Sequence, residues 1–244
     1  MQFPGRARAP YRAAEGAGLR PFPLPLEEGL LVRRWRRFLA EVRLPGGRLV
    51  TAHCANPGAM TGCCEPGRPV LLSRSDRPGR KLPYTWEMIR MGRSWVGVNT
   101  AVANRAVRHW LETGRLFPGP RPVRPEAIVG RSRFDFALGG SCLLEVKSVT
   151  MAYGGVAAFP DAVTARGRRH VEALGRLAQA GTRCILLYCV TRRDARSVRP
   201  ADEVDPAYGH ALREAVAAGL EVRAVQARFS RRGVALGPAL EVSL

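Results

Sequence analysis

Apolar and polar positions alternate in short runs through residues 26–100, and glycine, proline or aspartate separates the runs. Alternation with a period of two predicts β-strands whose faces differ in polarity. Several short strands at this spacing favour a small closed sheet, and an OB-like barrel accommodates about this number of strands. The predicted strands are Leu30–Leu44, Arg48–Ala55, Val70–Ser73, Pro83–Met91 and Ser94–Asn99.

After residue 100 the pattern mixes helical spacing with strands, which predicts an α/β core with a mixed sheet. The continuous apolar run Cys184–Val190 is typical of a strand that is buried on both faces. Glycine ends two of the predicted helices, at Gly114 and at Gly219. The other predicted elements are a helix at Ala103–Thr113, a linker at Leu116–Pro125, a helix at Asp161–Ala180 with Val163 in its inner stripe, a helix at Asp205–Ala218 and a last strand at Glu221–Phe229.

These patterns divide the chain into four parts. Residues 1–25 are rich in Pro, Gly, Ala and Arg and predict a mobile tail. Residues 26–100 form the predicted OB-like domain, residues 101–122 a helix with a linker, and residues 123–244 the mixed-sheet domain.

A hairpin within Arg131–Lys147 contains the strongest chemical signal. If Gly139–Ser141 forms a three-residue loop, the apolar residues share one face, and this pattern fixes the register. The predicted cross-strand pairs are Leu138 with Cys142, Phe136 with Leu144 and Phe134 with Val146 on one face, and Ala137 with Leu143, Asp135 with Glu145 and Arg133 with Lys147 on the other.

This register places the carboxylates of Asp135 and Glu145 opposite each other, which is unfavourable without a cation. Mg²⁺ is commonly held by one or two carboxylates together with water and phosphate oxygens. Lys147 follows one pleat further, where its charge can orient water or stabilise a developing negative charge. Of 39 basic residues only Lys81 and Lys147 are lysines, so lysine is conspicuous at this position. The alternative is a solvated hairpin face with scattered charges.

The formal charge of +19 and a pI near 11.2 favour a polyanionic partner, either nucleic acid or an anionic membrane. No apolar run approaches the roughly 20 residues that span a bilayer, and no secretory signal is evident, so we expect a cytoplasmic protein. The six cysteines suggest buried thiols in a reduced compartment. A zinc site at His53, Cys54, Cys63 and Cys64 is disfavoured by the spacing, and Asn56 is expected in a turn or in contact with substrate.

Two basic clusters are candidates for contacts with nucleic acid. Arginines alternate with aromatic residues between positions 33 and 38, which suits a groove for a single strand, although an ordinary strand with core and solvent faces explains the pattern equally well. The cluster contains Arg33, Arg34, Trp35, Arg36, Arg37 and Phe38. A second group, Arg166, Arg168 and Arg169, lies near a predicted helix start, where phosphate is favoured. His170 is either a phosphate contact or a surface residue, with the surface position preferred.

With these residues in view, the sequence resembles the sugar fermentation stimulation protein (SfsA) family over residues 25–229. The segments that carry the resemblance are Arg37–Val42 (RFLAEV), Ala52–Gly58 (AHCANPG), Trp95–Thr100 (WVGVNT), Ser132–Phe136 (SRFDF), Glu145–Thr150 (EVKSVT) and Phe159–Gly167 (FPDAVTARG). The resemblance implies an OB-like domain followed by a domain similar to PD-(D/E)XK nucleases. Asp135 then matches the metal-binding aspartate, although the proline that often precedes it is absent here.

The resemblance further implies a Mg²⁺- or Mn²⁺-dependent nuclease. Glu145 and Lys147 match the E-x-K pair of such sites, and Glu126 falls where these folds often place another acid, from the preceding helix. The implied metal ligands are Asp135, Glu145 and Glu126. The residues expected to contact nucleic acid are Arg33, Trp35, Arg36, Arg37, Asn56, Arg133, Thr164, Arg166 and Arg169.

The expected partner is nucleic acid, with DNA favoured over RNA; no membrane partner is expected, and a homodimer is an open alternative. The competing function is a DNA-binding protein without catalysis that regulates sugar (maltose) metabolism, as the family association suggests. The absence of a helix-turn-helix pattern weakens that alternative. A third, weaker alternative is a nuclease that acts on RNA or on structured repair intermediates.

Overall fold

The computed structural model describes residues 18–117 and 122–244. Residues 1–17 of the predicted tail and residues 118–121 of the predicted linker lie outside the described residues. In the described part of the tail, Leu19 pairs with Val234 and Phe22 is buried against the main core. Leu19 and Phe22 therefore attach this segment to the rest of the fold, whereas Arg20 and residues 23–25 are exposed.

The N-terminal domain is a closed five-stranded barrel with one additional strand. The strands are β1 (Glu27–Trp35), β2 (Leu39–Arg43), β3 (Leu49–His53), β4 (Pro69–Arg74), β5 (Tyr84–Met91) and β6 (Ser94–Gly97). They follow the order β3-β2-β1-β4-β5-β6, and a parallel pairing of β3 with β5 closes the barrel. Its interior is filled by large apolar side chains, of which Trp86 is the largest. The predicted OB-like barrel is confirmed.

The single strand predicted at Leu30–Leu44 is wrong, because the chain reverses at Arg36 and Arg37. Both residues have positive φ, at 49° and 61°, and they join β1 to β2 as an antiparallel pair. A left-handed backbone is unusual for arginine, and turns of this kind normally carry glycine or asparagine. The sequence therefore contains no turn signal at this position.

The second domain is built on a mixed six-stranded sheet in the order β15-β14-β12-β9-β8-β7. A separate small sheet has the order β10-β11-β13-β16. The helices are α1 (Thr100–Glu112), α2 (Ala165–Gln179) and α3 (Pro206–Ala217). The strands are β7 (Val123–Val129), β8 (Ser132–Leu138), β9 (Cys142–Val149), β10 (Ala152–Tyr153), β11 (Val156–Phe159), β12 (Arg183–Val190), β13 (Ser197–Pro200), β14 (Glu221–Ser230), β15 (Gly233–Ala239) and β16 (Glu241–Val242).

Helices cover both faces of this sheet. α1 packs on one face in a core that includes Trp110 and Phe229, and α2 and α3 pack on the other around Leu174 and Tyr208. Central strand β12 runs parallel to both β9 and β14, and all of its residues after Arg183 are buried. The mixed sheet and the strand buried on both faces are therefore confirmed.

Several predicted boundaries are corrected. α2 begins at Ala165 rather than at Asp161, because Thr164 caps the helix by accepting a hydrogen bond from the Gly167 N–H at 3.1 Å. Val163 therefore precedes the helix and is exposed instead of joining an inner stripe. The predicted linker is replaced from Val123 onward by β7, and β14 is followed by two further strands.

Among the contacts that join the two domains are hydrogen bonds at two places and the Arg231–Glu28 ion pair. At the first, the Gly97 N–H donates to the Thr191 carbonyl at 3.0 Å, and the Thr191 hydroxyl donates to the Gly97 carbonyl at 2.8 Å. At the second, the Met60 N–H donates to Asp161 Oδ2 at 2.7 Å. Barrel residues Leu71 and Met88 also belong to the core that contains α1. The domains therefore share apolar surface as well as polar contacts.

Glu87 is a buried carboxylate near this domain junction. Its oxygens accept hydrogen bonds from Ser73 Oγ at 2.6 Å and from Asn99 Nδ2 at 2.8 Å. Burial raises the pKa of Glu87 above its usual range, although both hydrogen bonds oppose that rise. The charged form is therefore disfavoured in the folded state, and Glu87 stabilises the fold less as pH rises from the unfolded pKa through the folded pKa.

We expect Glu87→Gln to become progressively more stable than the wild type as pH rises above about 4.5, because glutamine does not ionise. Its amide oxygen can accept from Asn99 and its NH2 group can donate to the Ser73 hydroxyl, so both contacts remain hydrogen-bonded. Urea unfolding between pH 4 and pH 8 measures this difference in the free energy of unfolding. Glu241→Gln, at an exposed glutamate, controls for the loss of one negative charge. A difference that is constant or shrinks with rising pH would contradict the expectation.

Candidate active site

The predicted register of the β8–β9 hairpin is confirmed near its loop. Leu138 pairs with Cys142, Ala137 with Leu143 and Phe136 with Leu144. The ladder ends there, and the two strands separate toward the acidic residues. Phe134 consequently packs in the core beneath α2, whereas Phe136 packs in the core beneath α1. The prediction that both phenylalanines share one face is therefore wrong.

The carboxylate of Asp135 occupies the gap where the strands separate. Its Oδ2 accepts a hydrogen bond from the Val146 N–H at 2.8 Å. The Asp135 side chain therefore replaces a backbone hydrogen bond between β8 and β9. Its Oδ1 accepts from Asn104 Nδ2 on α1 at 2.8 Å. The Asp135 N–H lies 3.4 Å from Glu145 Oε2, which places the two acidic residues side by side as the register predicts.

Glu145 is held by two basic side chains. Its Oε1 lies 2.7 Å from Lys147 Nζ and 2.6 Å from His170 Nδ1. The Glu145, Lys147 and His170 side chains are 6%, 12% and 13% exposed, respectively. The His170 ring also meets the Phe134 ring edge-on at 5.9 Å between centroids. Both hydrogen-bonded contacts fix the orientation of one carboxylate.

Two residues of this site were not expected from the sequence. The sequence pattern does not single out Asn104, and it favours a surface position for His170. Each lies beside the buried stripe of its helix, since Val107 follows Asn104 by three positions and Leu174 follows His170 by four. This spacing is the only sequence signal for either position. Their roles depend on contacts with a distant strand.

The environment shifts the pKa values of Asp135 and Glu145 in opposite directions. Burial raises the pKa of Asp135, and the neighbouring charge of Glu145 adds to the rise against the hydrogen bonds from Val146 and Asn104. Burial also acts to raise the pKa of Glu145, but the hydrogen bond from His170 and the charge of Lys147 outweigh it, so that pKa is lowered. Glu145 is thus ionised at neutral pH, while negative charge on Asp135 is disfavoured unless a cation is present.

A cleft of about 510 Å³ opens above Lys147 between the two domains. The barrel contributes one wall, α1 and the segment before α2 contribute others, and β9 contributes the residues around Lys147. The lining residues are Arg37, Asn56, Pro57, Gly58, Thr100, Ala101, Asn104, Val146, Lys147, Ser148, Thr150, Phe159, Pro160, Asp161, Ala162, Val163, Thr164 and Arg166. Among the described residues, Asn104 Oδ1 and Ser148 Oγ are the buried side-chain polar atoms without a hydrogen-bond partner.

The barrel wall of the cleft is held in shape by Arg34. Its guanidinium donates to the carbonyl oxygens of Arg37, Asn56, Gly58 and Ala59 at 2.8–3.0 Å. The Asn56 side chain accepts from the Gly58 N–H at 2.9 Å and donates to the Val98 carbonyl at 3.2 Å. Asn56 therefore stabilises the turn, and its predicted contact with substrate stays a prediction.

The other barrel residues expected to bind nucleic acid differ in their positions. Arg37 lines the cleft. Arg36 is exposed on the same turn. Arg33 is paired with Glu41 at 3.1 Å and lies 5.2 Å above the Trp35 ring. The structure thus brings Arg37 to the cleft, whereas the partners of Arg33 are on the barrel itself.

The remaining predicted residues belong to the second domain. Arg166 and Thr164 line the cleft, and the Thr164 hydroxyl is used as the cap of α2. Arg169 is exposed on α2 and Arg133 on β8. Glu126 lies on β7 and not on a helix, its side chain is 73% exposed, and Arg133 lies 3.9 Å from it. The helix before β7 instead presents Asn104 to Asp135. A metal-binding role for Glu126 stays a prediction.

The acidic pair fits a hard divalent cation with few protein ligands. Across residues 18–117 and 122–244, no group of three or more His, Cys, Asp or Glu side chains is arranged to hold a metal ion. Mg²⁺ does not require such a cage, because it binds through one or two carboxylates and retains water. The adjacent carboxylates of Asp135 and Glu145 meet that requirement, and a cation would relieve the repulsion that raises the Asp135 pKa.

The cysteines do not form a competing metal site. All six are free, and all except Cys64 are buried. Burial raises the pKa of the Cys63 thiol to about 12 and also raises that of Cys54. Thiols of this kind are poor metal ligands at neutral pH, because binding requires the thiolate.

Comparison with known proteins gives the same family for both domains. The family model described as the SfsA N-terminal OB domain matches residues 32–98, and the sugar fermentation stimulation protein RE domain matches residues 101–233. A sugar fermentation stimulation protein homolog from Geobacter sulfurreducens is 46% identical over 225 residues, covering 90% of this chain and 97% of the relative. The homolog from Alkalilimnicola ehrlichii is 49% identical over 233 residues, covering 91% and 98%.

A solved structure has the same fold. The structure of Pyrococcus furiosus SfsA in complex with Ca²⁺ superimposes with a TM-score of 0.82 at 24% sequence identity, covering 97% of this chain and all of that chain. The similarity extends over both domains. It supports the architecture of a barrel followed by a mixed-sheet domain. No helix among the described residues has the length and apolar character needed to cross a membrane.

Proposed function

Because the chain belongs to the sugar fermentation stimulation protein family, we propose that it is a metal-dependent nuclease that hydrolyses phosphodiester bonds of nucleic acid. The observation that carries the proposal is the cluster of Asp135, Glu145 and Lys147, which meets the cleft between the domains at Lys147. A protein that only binds nucleic acid gains nothing from two carboxylates placed where phosphate must approach. DNA is proposed as the substrate, on the family resemblance.

In this proposal Asp135 and Glu145 hold Mg²⁺ or Mn²⁺. The metal supplies charge stabilisation at phosphate and a water molecule of lowered pKa. The description of the Pyrococcus protein as a complex with Ca²⁺ supports divalent metal binding in the family. The raised pKa of Asp135 supports it in this chain, because burial and the charge of Glu145 disfavour the ionised form although Lys147 acts in the opposite direction.

Each neighbouring side chain has a distinct task in the proposal. Lys147 donates to Glu145 at 2.7 Å and lines the cleft, where its charge would hold the attacking water or a phosphate oxygen. His170 keeps Glu145 ionised and fixes its orientation. Arg37 and Arg166 attract the nucleic-acid backbone from opposite domains. The net charge of +19 favours approach of a polyanion to the whole surface.

Lys147→Ala should reduce cleavage by roughly 100-fold or more, since removal of one group that stabilises transition-state charge typically costs 10²–10³ in rate. The assay uses labelled single- and double-stranded DNA and RNA with Mg²⁺, Mn²⁺ or EDTA. Lys81→Ala is the matched control, because Lys81 is the only other lysine and is exposed in the loop before β5. This control should cut at the wild-type rate.

Two results would contradict the proposal. Binding in every lane without cleavage would favour the alternative of a DNA-binding protein with a regulatory role. Cleavage that persists in Lys147→Ala or in EDTA would place catalysis elsewhere.

A further inference from the structure

The proposed reacting groups are largely covered by protein, and Lys147 lines the cleft between the domains. Lys147 and His170 are 12% and 13% exposed, and Glu145 lies beneath them. A scissile phosphate must therefore enter between the barrel and the second domain. The geometry of that space limits which nucleic acids can present a phosphate there.

The cleft has the size of a small-molecule site and not of a surface for a duplex. Its volume of about 510 Å³ falls within the usual range of ligand pockets. Duplex-binding surfaces are extended and typically bury about 1,000–2,500 Å² of protein.

The walls are fixed by contacts between the domains. The Met60–Asp161 hydrogen bond closes one side at 2.7 Å. The paired hydrogen bonds of Gly97 and Thr191, at 2.8 and 3.0 Å, join the two domains as well. Widening the cleft for a duplex would break these bonds and expose apolar surface that the domains share.

The lining has the features that one strand requires. Arg37 and Arg166 face the space from opposite domains, and Val163, 77% exposed, offers apolar surface at its edge. Asn104 Oδ1 and Ser148 Oγ lack partners among the described residues. Buried polar atoms without partners at a cleft are explained by a ligand or water that satisfies them.

We infer that the cleft binds a single nucleic-acid strand and excludes duplex. The backbone lies between Arg37 and Arg166, a base rests against Val163, and Asn104 and Ser148 contact the enclosed nucleotide. A duplex becomes a substrate only where it is frayed or carries a single-stranded end. The inference rests on the proposed function for the reaction, but the binding preference can be tested separately.

The test fills the cleft without altering the acidic cluster. Ala101 is exposed at the start of α1 and lines the cleft, so Ala101→Trp obstructs it. Ala217→Trp is the matched control on α3, where the alanine is also exposed but is not part of the lining. Ala162→Trp obstructs the cleft from another segment and replaces Ala101→Trp if that variant does not fold.

Fluorescence anisotropy is measured with labelled single-stranded DNA, single-stranded RNA of the same sequence and blunt duplex DNA, in EDTA and in Ca²⁺. We expect Ala101→Trp to weaken binding of at least one single strand by 10-fold or more and Ala217→Trp to leave it unchanged. Blunt duplex should bind more weakly to the wild type and respond equally little to both substitutions. Comparison of the affinities for single-stranded DNA and single-stranded RNA identifies which nucleic acid the cleft prefers.

Unchanged single-strand affinity in the obstructed variants would overturn the inference, as would an equal loss of duplex affinity. Internal cleavage of blunt duplex would also overturn it while supporting the nuclease proposal. Single-strand binding in the cleft without cleavage under any metal would contradict the nuclease proposal and leave the inference standing.

Discussion

Asp135→Asn should abolish metal-dependent cleavage while making the metal-free protein more stable at neutral pH. Replacing outer partners of metal ligands commonly costs 10–100-fold, so loss of a ligand carboxylate should cost at least roughly 100-fold. The stability gain follows from the site itself, where burial and the charge of Glu145 disfavour a second negative charge. Removing the charge removes that penalty.

The surrounding hydrogen bonds can adapt to the new amide. Asp135 now accepts one hydrogen bond from Val146 and one from Asn104, and asparagine has a single acceptor oxygen. If the Asn104 amide turns over, its unpartnered Oδ1 accepts from the new side chain, and the Val146 N–H keeps its acceptor. The substitution therefore leaves no additional polar atom unpaired.

The sign of the pH dependence provides a sharper test. The raised pKa of Asp135 means that its contribution to stability is present below the unfolded pKa and is lost as pH rises through the folded pKa. The gain in Asp135→Asn should therefore be absent near pH 3 and grow toward neutrality. Thermal unfolding in EDTA across that range measures it.

Asp76→Asn is the matched control, because the Asp76 side chain is 90% exposed. It should change neither cleavage nor stability appreciably. An Asp135→Asn protein that is less stable than the wild type at pH 7, or that retains cleavage, would contradict the account of the acidic pair.

Gly97→Ala should destabilise the protein by about 3 kcal/mol, at the upper end of the usual cost of overpacking a core. A methyl group at position 97 would overlap the ring of Phe229 from the other domain. Neither partner can withdraw freely, because Gly97 is hydrogen-bonded to Thr191 and Phe229 is buried in β14. The hydrogen-bonded junction beside the cleft should loosen as a result.

Chemical unfolding of Gly97→Ala, Phe229→Leu and the double variant measures this contact. Leucine removes part of the ring, so the double variant should recover some of the stability that Gly97→Ala loses. Purely additive effects of the two substitutions would mean that the alanine is accommodated without meeting Phe229, against the expectation.

The sequence was informative where a pattern is local. The apolar residues beside the hairpin loop predicted the pairing of Phe136 with Leu144. The length of the apolar run Cys184–Val190 identified the central strand. The order of the two domains and the acidic pair followed from the same local patterns.

Contacts between distant segments account for what the sequence did not predict. The face of Phe134 depends on the Asp135 carboxylate, which replaces a ladder bond and ends the pairing. His170 and Asn104 reach the site from helices distant in sequence from β9. The turn at Arg36 and Arg37 lacks the residues that usually signal a left-handed backbone. Several strands of the small sheet have two to four residues, too few to display an alternating pattern.

The apolar core that contains Leu71 and Met88 has a consequence for how the chain can be divided. These barrel residues pack with α1 and with strands β12 and β14, so part of the barrel's own folding energy resides in the other domain. A fragment ending near residue 98 would expose this surface to water and face aggregation. Gene fission between residues 98 and 101, where the two family models meet, would therefore separate two halves of one cooperative folding unit. The intact protein should accordingly unfold in a single thermal transition.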